Sequence, residues 1–92
     1  MKIFIGRQVY NTEFADDIAV RFFPADSKHR VDVLMIMPTS RKYFIHRKSV
    51  EVIKNEQITT EKIIPMTENE AFLWMKGNGL VRELHLYFKE AV

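Results

Sequence analysis

Residues 49–64, SVEVIKNEQITTEKII, decide what kind of fold this chain adopts. Ser49 could cap a short helix, because its hydroxyl can accept from backbone N–H groups one turn on. The composition argues for strands instead. Val50, Val52, Ile53, Ile58, Thr59, Thr60, Ile63 and Ile64 are all β-branched, and such side chains suit a pleated surface better than a helix. KNEQ at 54–57 supplies a polar break, so the segment reads as strand, turn, strand.

Toward the N-terminus the pattern continues. Residues 42–46, inside RKYFIHRK at 41–48, form a strand, and PTS at 38–40 connects it tightly to the strand before, with Pro38 preset for a turn. RVDVLMIM at 30–37 is the strongest strand signal. Val31, Val33, Met35 and Met37 share one face, while the other begins polar with Arg30 and Asp32 and becomes apolar at Leu34 and Ile36. A strand apolar on both faces at one end belongs in the centre of a sheet. PADSKH at 24–29 carries turn chemistry, and IAVRFF at 18–23 is a further strand. Short connections make these strands an antiparallel meander. NTEFADD at 11–17 reads as a turn or short helical loop. KIFIGRQVY at 2–10 reads as a first strand, bent at Gly6.

Toward the C-terminus the period changes. MTENE at 66–70 has the spacing of a capping box, with Thr67 and Glu70 bonding reciprocally and Pro65 just outside. Ala71, Phe72, Trp74 and Met75 give a helical apolar face, and Gly77, Asn78 and Gly79 can end it. A second helix from about Leu80 places Leu84, Tyr87, Phe88 and Ala91 on one side. The expected fold is α+β: an antiparallel β-meander, then a C-terminal pair of short helices packed on one face of the sheet. Length predicts one compact domain over 1–92, mainly β in 1–64 and an αα-hairpin in 67–91.

There is no cysteine, which excludes disulfides and thiolate metal sites. Apolar runs such as VLMIM at 33–37 fall far short of the roughly 20 residues of a membrane span. IFIG at 3–6 is too short for the core of a secretory signal. The expectation is a cytoplasmic protein with no membrane partner. Apolar residues make up 47% of the chain, including seven Phe, three Tyr and one Trp, more than a domain of 92 residues readily hides. That surplus implies a surface that meets another chain, either a different protein or a second copy in a homodimer.

Charge is uneven. Residues 28–48 hold Lys28, Arg30, Arg41, Lys42, Arg47 and Lys48 against Asp32 alone, whereas the flanking segments are slightly acidic. Such a patch attracts polyanions, but strand ends and turns also carry charge simply for solubility, and edge strands use Lys and Arg to repel other edges. In RKYFIHRK, Arg41, Tyr43, Ile45 and Arg47 share one side of a strand, and Lys42, Phe44, His46 and Lys48 share the other. An aromatic between cations is what single-stranded nucleic acid uses, although the glycine of an RNA-recognition strand is missing. One face must enter the core, so Phe44 is expected inward and Tyr43 outward.

Catalytic chemistry finds no foothold. The three histidines, His29, His46 and His85, lack metal-ligand spacing. Ser27, Ser40 and Ser49 sit where turns and caps want a hydroxyl. Asp16, Asp17, Glu68 and Glu70 have structural readings, and GNG at 77–79 reads as a helix stop rather than a phosphate cradle. The expected function is therefore non-enzymatic, with no cofactor, metal or catalytic residue. The first expectation is a protein-binding module, an adaptor, regulator or inhibitor, with Tyr43, Trp74 and Tyr87 as candidate interface anchors, Trp74 being equally readable as a core residue. The second is nucleic-acid binding through Lys28, Arg30, Arg41, Lys42, Tyr43, Arg47 and Lys48.

Overall fold

Lys54 and Asn55 both take left-handed backbone angles, with φ of 51° and 65°. Two such residues in succession make the type I′ turn whose twist matches paired strands. They join β5 (Tyr43–Ile53) to β6 (Glu56–Met66), in unbroken antiparallel register from Ile53 opposite Glu56 to Tyr43 opposite Met66. Residues 49–64 are thus strand, turn and strand. The computed structural model describes residues 1–87 and has the α+β fold the sequence implies.

β4 (Lys28–Ile36) pairs with β5, and β3 (Asp16–Phe23) pairs with β4, giving a four-stranded antiparallel sheet in the order β3-β4-β5-β6. β4 is interior, as its two apolar faces require. A bulge between Asp17 and Ala19 shifts the register of β3. The strand expected at 42–46 is longer than its apolar core, because β-branched residues carry it on to Ile53.

The N-terminal strand is corrected to a hairpin. Gly6, at φ 62°, turns the chain so that β1 (Lys2–Ile5) pairs with β2 (Gln8–Asn11) in a separate two-stranded sheet. After β2 the chain turns through an Asx motif, in which Asn11 Oδ1 accepts from the Glu13 N–H at 3.0 Å. The hairpin is tied to the β4–β5 turn by Gln8 Nε2 donating to Ser40 Oγ at 3.0 Å.

α1 (Glu68–Gly77) opens with the expected capping box. Thr67 Oγ1 accepts from the Glu70 N–H at 3.1 Å, and Glu70 Oε1 accepts from the Thr67 N–H at 2.9 Å. Asn78 caps its other end, donating from Nδ2 to the Trp74 carbonyl at 2.8 Å. α2 (Val81–Tyr87) follows after Gly79. Phe88 and Ala91, assigned by spacing to the second helix, lie outside the described residues.

Alternation along the strands sends side chains to two cores. On one face, Leu34, Ile36, Tyr43 and Ile45 meet Ala71 and Met75 of α1 and Leu84 of α2. On the other, Met35, Phe44 and Ile63 meet Tyr10 and Ile3 of the hairpin, with the Tyr10 and Phe44 rings edge-on at 5.4 Å. The sheet is therefore covered on both sides at this end. That corrects the expected outward Tyr43: it is buried under the helices while Phe44 is fully buried under the hairpin.

Candidate functional site

The other half of the sheet has no second layer among the described residues. Beyond Val33 and Leu34 toward the β3–β4 and β5–β6 turns, the strands run on uncovered, and the molecule is 48 Å long but only 18 Å thick. Its apolar side chains remain in solvent. Val20, Phe22 and Val52 lie on the hairpin-side face, each more than half exposed, with partly buried Val31 and Val50 between them. Ile53 and Ile58 lie exposed on the helix-side face. Phe22 stands 6.0 Å from the His29 ring. Large apolar side chains are also exposed outside this half, among them Phe4, Ile5, Phe14, Leu73, Val81 and Leu86. What distinguishes the bare sheet is that Val20, Phe22 and Val52 adjoin Val31 and Val50 on one face, and contiguous apolar surface marks a site of association.

The structure does not gather the six basic residues of 28–48. Arg41 and Lys42 sit at the β4–β5 turn, beside the covered end. Lys28 lies at the start of β4, some nine residues or about 30 Å away along the strand. Between these ends the cations already have anionic partners. Asp32, only 1% exposed, accepts from Arg47 Nε at 2.9 Å and Nη2 at 3.1 Å. Arg30 Nε is 3.5 Å from the same carboxylate and makes no hydrogen bond there; its guanidinium lies 4.2 Å from the centre of the Phe23 ring. On the opposite face, Glu61 Oε1 lies 3.2 Å from His46 Nε2 and 3.7 Å from Lys48 Nζ.

Arg41 and Lys42 meet Arg7 instead, around an open cleft of 730 Å³ between the hairpin, the β4–β5 turn and the start of α1. Glu68 and Glu70 line the same cleft, so its charge is mixed, and Glu70 is held in the capping box. Tyr43 borders it too. Burial raises the Tyr43 phenol above its ordinary pKa, the Glu68 carboxylate adds to that rise, and Arg41 opposes it. The phenol, neutral at physiological pH at its ordinary value, is held protonated to still higher pH.

Of the three expected anchors, Tyr43 belongs to the core, Trp74 is partly buried against it, and Tyr87 is the last residue of α2. The exposed residues Val20, Phe22, Val52, Ile53 and Ile58 were not singled out by sequence. Their signal was present in the apolar alternation of 18–23 and 49–64, but only the placement of the covering layers separates exposed from buried members. No group of three or more metal-ligating side chains occurs among the described residues, and no described helix is long and apolar enough to cross a membrane. No family model, curated protein or solved structure matches the chain.

Proposed function

We propose that this chain is a non-enzymatic protein-binding module whose working surface is the uncovered half of its sheet. One observation carries the reading: Val20, Phe22, Val52, Ile53 and Ile58 stay exposed on strands whose other ends are buried in the core. Exposing such groups in an unbound chain forgoes roughly 25 cal/mol for each Å² of apolar surface, which a protein partner would recover. The surface is flat and has open strand edges, so it suits a protein rather than a small ligand, which needs a concave site.

A photo-crosslinking side chain placed at Phe22 or Val52, with Glu13 and Lys76 as control positions, tests this in the cells that make the protein. Discrete protein adducts at 22 and 52, absent from the controls, support the module. The reading fails if those positions yield no protein adduct. It also fails if the purified chain binds oligonucleotides with steep salt dependence that is lost when Arg41, Lys42, Arg47 and Lys48 are reversed in charge.

A further inference from the structure

The hydrogen bonds between strands determine which backbone groups of β6 face outward. The Val52 N–H donates to the Ser27 carbonyl at 2.8 Å, so even-numbered residues of β5 bond toward β4 and odd-numbered ones toward β6. Through the β5–β6 register, the even-numbered residues of β6 bond back to β5. Gln57, Thr59, Glu61 and Ile63 therefore direct both N–H and C=O to the outer edge. No described strand pairs there. Pro65 is next in this outward series and has no N–H to offer, so it marks where the edge stops being able to pair.

The charges on this edge are arranged for self-recognition. Glu56 and Lys62 form no ion pair among the described residues, and six residues of strand, about 20 Å, keep them from meeting within one chain. A second β6 laid antiparallel about a two-fold axis at Thr59 puts Glu56 of each copy opposite Lys62 of the other. Thr59 then faces Thr59, Ile58 faces Thr60, and Gln57 faces Glu61. Neighbouring two-fold registers lack this match. Centring on Ile58 opposes Lys54 with Lys62, on Thr60 it opposes Lys62 with Ile58, and on Glu61 it sets that carboxylate against itself. Lys62 also lies beside Arg47 in a cross-strand row with Arg21 and Asp32, where positive charge is in excess, so an incoming Glu56 relieves it.

We propose that the partner on this edge is a second copy of the chain, joined β6 to β6 in the register centred on Thr59 to make one continuous eight-stranded sheet. This rests on the protein-binding reading only in using the same uncovered half of the sheet: it occupies the β6 edge and leaves Val20 and Phe22, on the opposite edge strand, to the wider reading. The ladder spans residues 56–62, offers about six main-chain hydrogen bonds and ends before Pro65. β3, the other edge, is less suited: it is followed by Pro24, and the one register that would set Asp17 opposite Arg21, centred on Ala19, runs through the bulge at Asp17–Ala19.

Sedimentation velocity of the purified full chain at high micromolar concentration, with charge variants, tests the register. The wild type is expected to dimerise. Glu56→Lys and Lys62→Glu should each weaken the dimer roughly ten-fold at low salt, since each sets two like-charged pairs opposite one another. An equimolar mixture of the two variants, or the double variant, should restore it. Both positions are exposed, and unchanged unfolding midpoints would show that folding is intact. Thr59→Cys, in a chain with no other cysteine, should form an intermolecular disulfide on oxidation, because paired Cα atoms lie about 5.5 Å apart. A wild type that remains monomeric overturns the proposal, as does a dimer indifferent to both reversals. Either result leaves the wider reading to be judged separately by protein adducts at Phe22 and Val52.

Discussion

Arg47 holds Asp32 with two parallel hydrogen bonds, of 2.9 and 3.1 Å, from the adjacent strand, at the line where the covered half of the sheet gives way to the uncovered half. The carboxylate is buried at 1% exposure, whereas the guanidinium remains partly solvated. The bidentate geometry joins β4 and β5 where apolar packing stops. Asp32→Asn is expected to lower unfolding free energy by about 1.5–3 kcal/mol in urea, because it leaves Arg30 and Arg47 without their shared anion. Arg47→Lys should recover only part of the wild-type value, since an ammonium cannot form the two-pronged contact.

Phe44 and Phe22 are the same residue type with opposite roles. Phe44 is wholly buried beneath the hairpin, and Phe22 is 51% exposed on the uncovered half. Phe44→Ala should cost about 3–5 kcal/mol, a large fraction of the stability of so small a chain. Phe22→Thr should fall within about 0.5 kcal/mol of wild type. Thermal unfolding of both, under conditions where the chain is monomeric, makes the comparison.

The α1 capping box predicts a non-additive pair. Thr67→Ala should destabilise by about 1 kcal/mol, as loss of an N-cap hydroxyl usually does. Glu70→Ala should cost less. The double variant should fall short of the sum, because each residue satisfies a backbone N–H of the other's position. A double-mutant cycle by urea titration reads the coupling directly.

Lys54 and Asn55 carry side chains where the turn asks for φ above zero. Replacing them together, Lys54→Asn with Asn55→Gly, should stabilise the β5–β6 hairpin by roughly 0.5–1 kcal/mol, since Asn-Gly is the preferred pair in a type I′ turn. An upward shift in the unfolding midpoint would bear this out, and a downward shift would contradict the assigned turn.

Tyr43 gives a pH signature. Its phenol titrates higher in the folded chain than in the unfolded one, chiefly through burial. The native state therefore keeps a proton that the unfolded state releases first. This contribution is complete below the unfolded value of about 10 and is lost as pH rises through the folded value. Stability should fall above pH ~10, and Tyr43→Phe should flatten part of that fall when the two curves are compared.

Local rules made much of this legible. The β-branched runs of 49–64, the turn residues at 54–57, the two-faced apolar pattern of 30–37 and the Thr67–Glu70 spacing each act over a few residues. Each yielded the element the structure contains. The first hairpin was harder to read, because Ile3, Ile5, Val9 and Tyr10 alternate well enough for one strand, and only the reversal at Gly6 divides them. Tyr43 was read outward on the assumption that the sheet buries one face. That assumption fails at the end where hairpin and helices cover opposite sides.

Sequence by itself determined the four strands of the main sheet, a turn within residues 54–57, the capped helix and the α+β class, because propensity, turn chemistry and capping are local properties of the chain. It also fixed that positive charge concentrates between Lys28 and Lys48. Tertiary structure decided where those charges go: Arg30 and Arg47 to Asp32, Lys48 to Glu61, Arg41 and Lys42 to the far turn. It also decided which half of the sheet stays bare. Exposure depends on which layers pack on a strand and how far they reach along it, and that is set by contacts between segments distant in sequence.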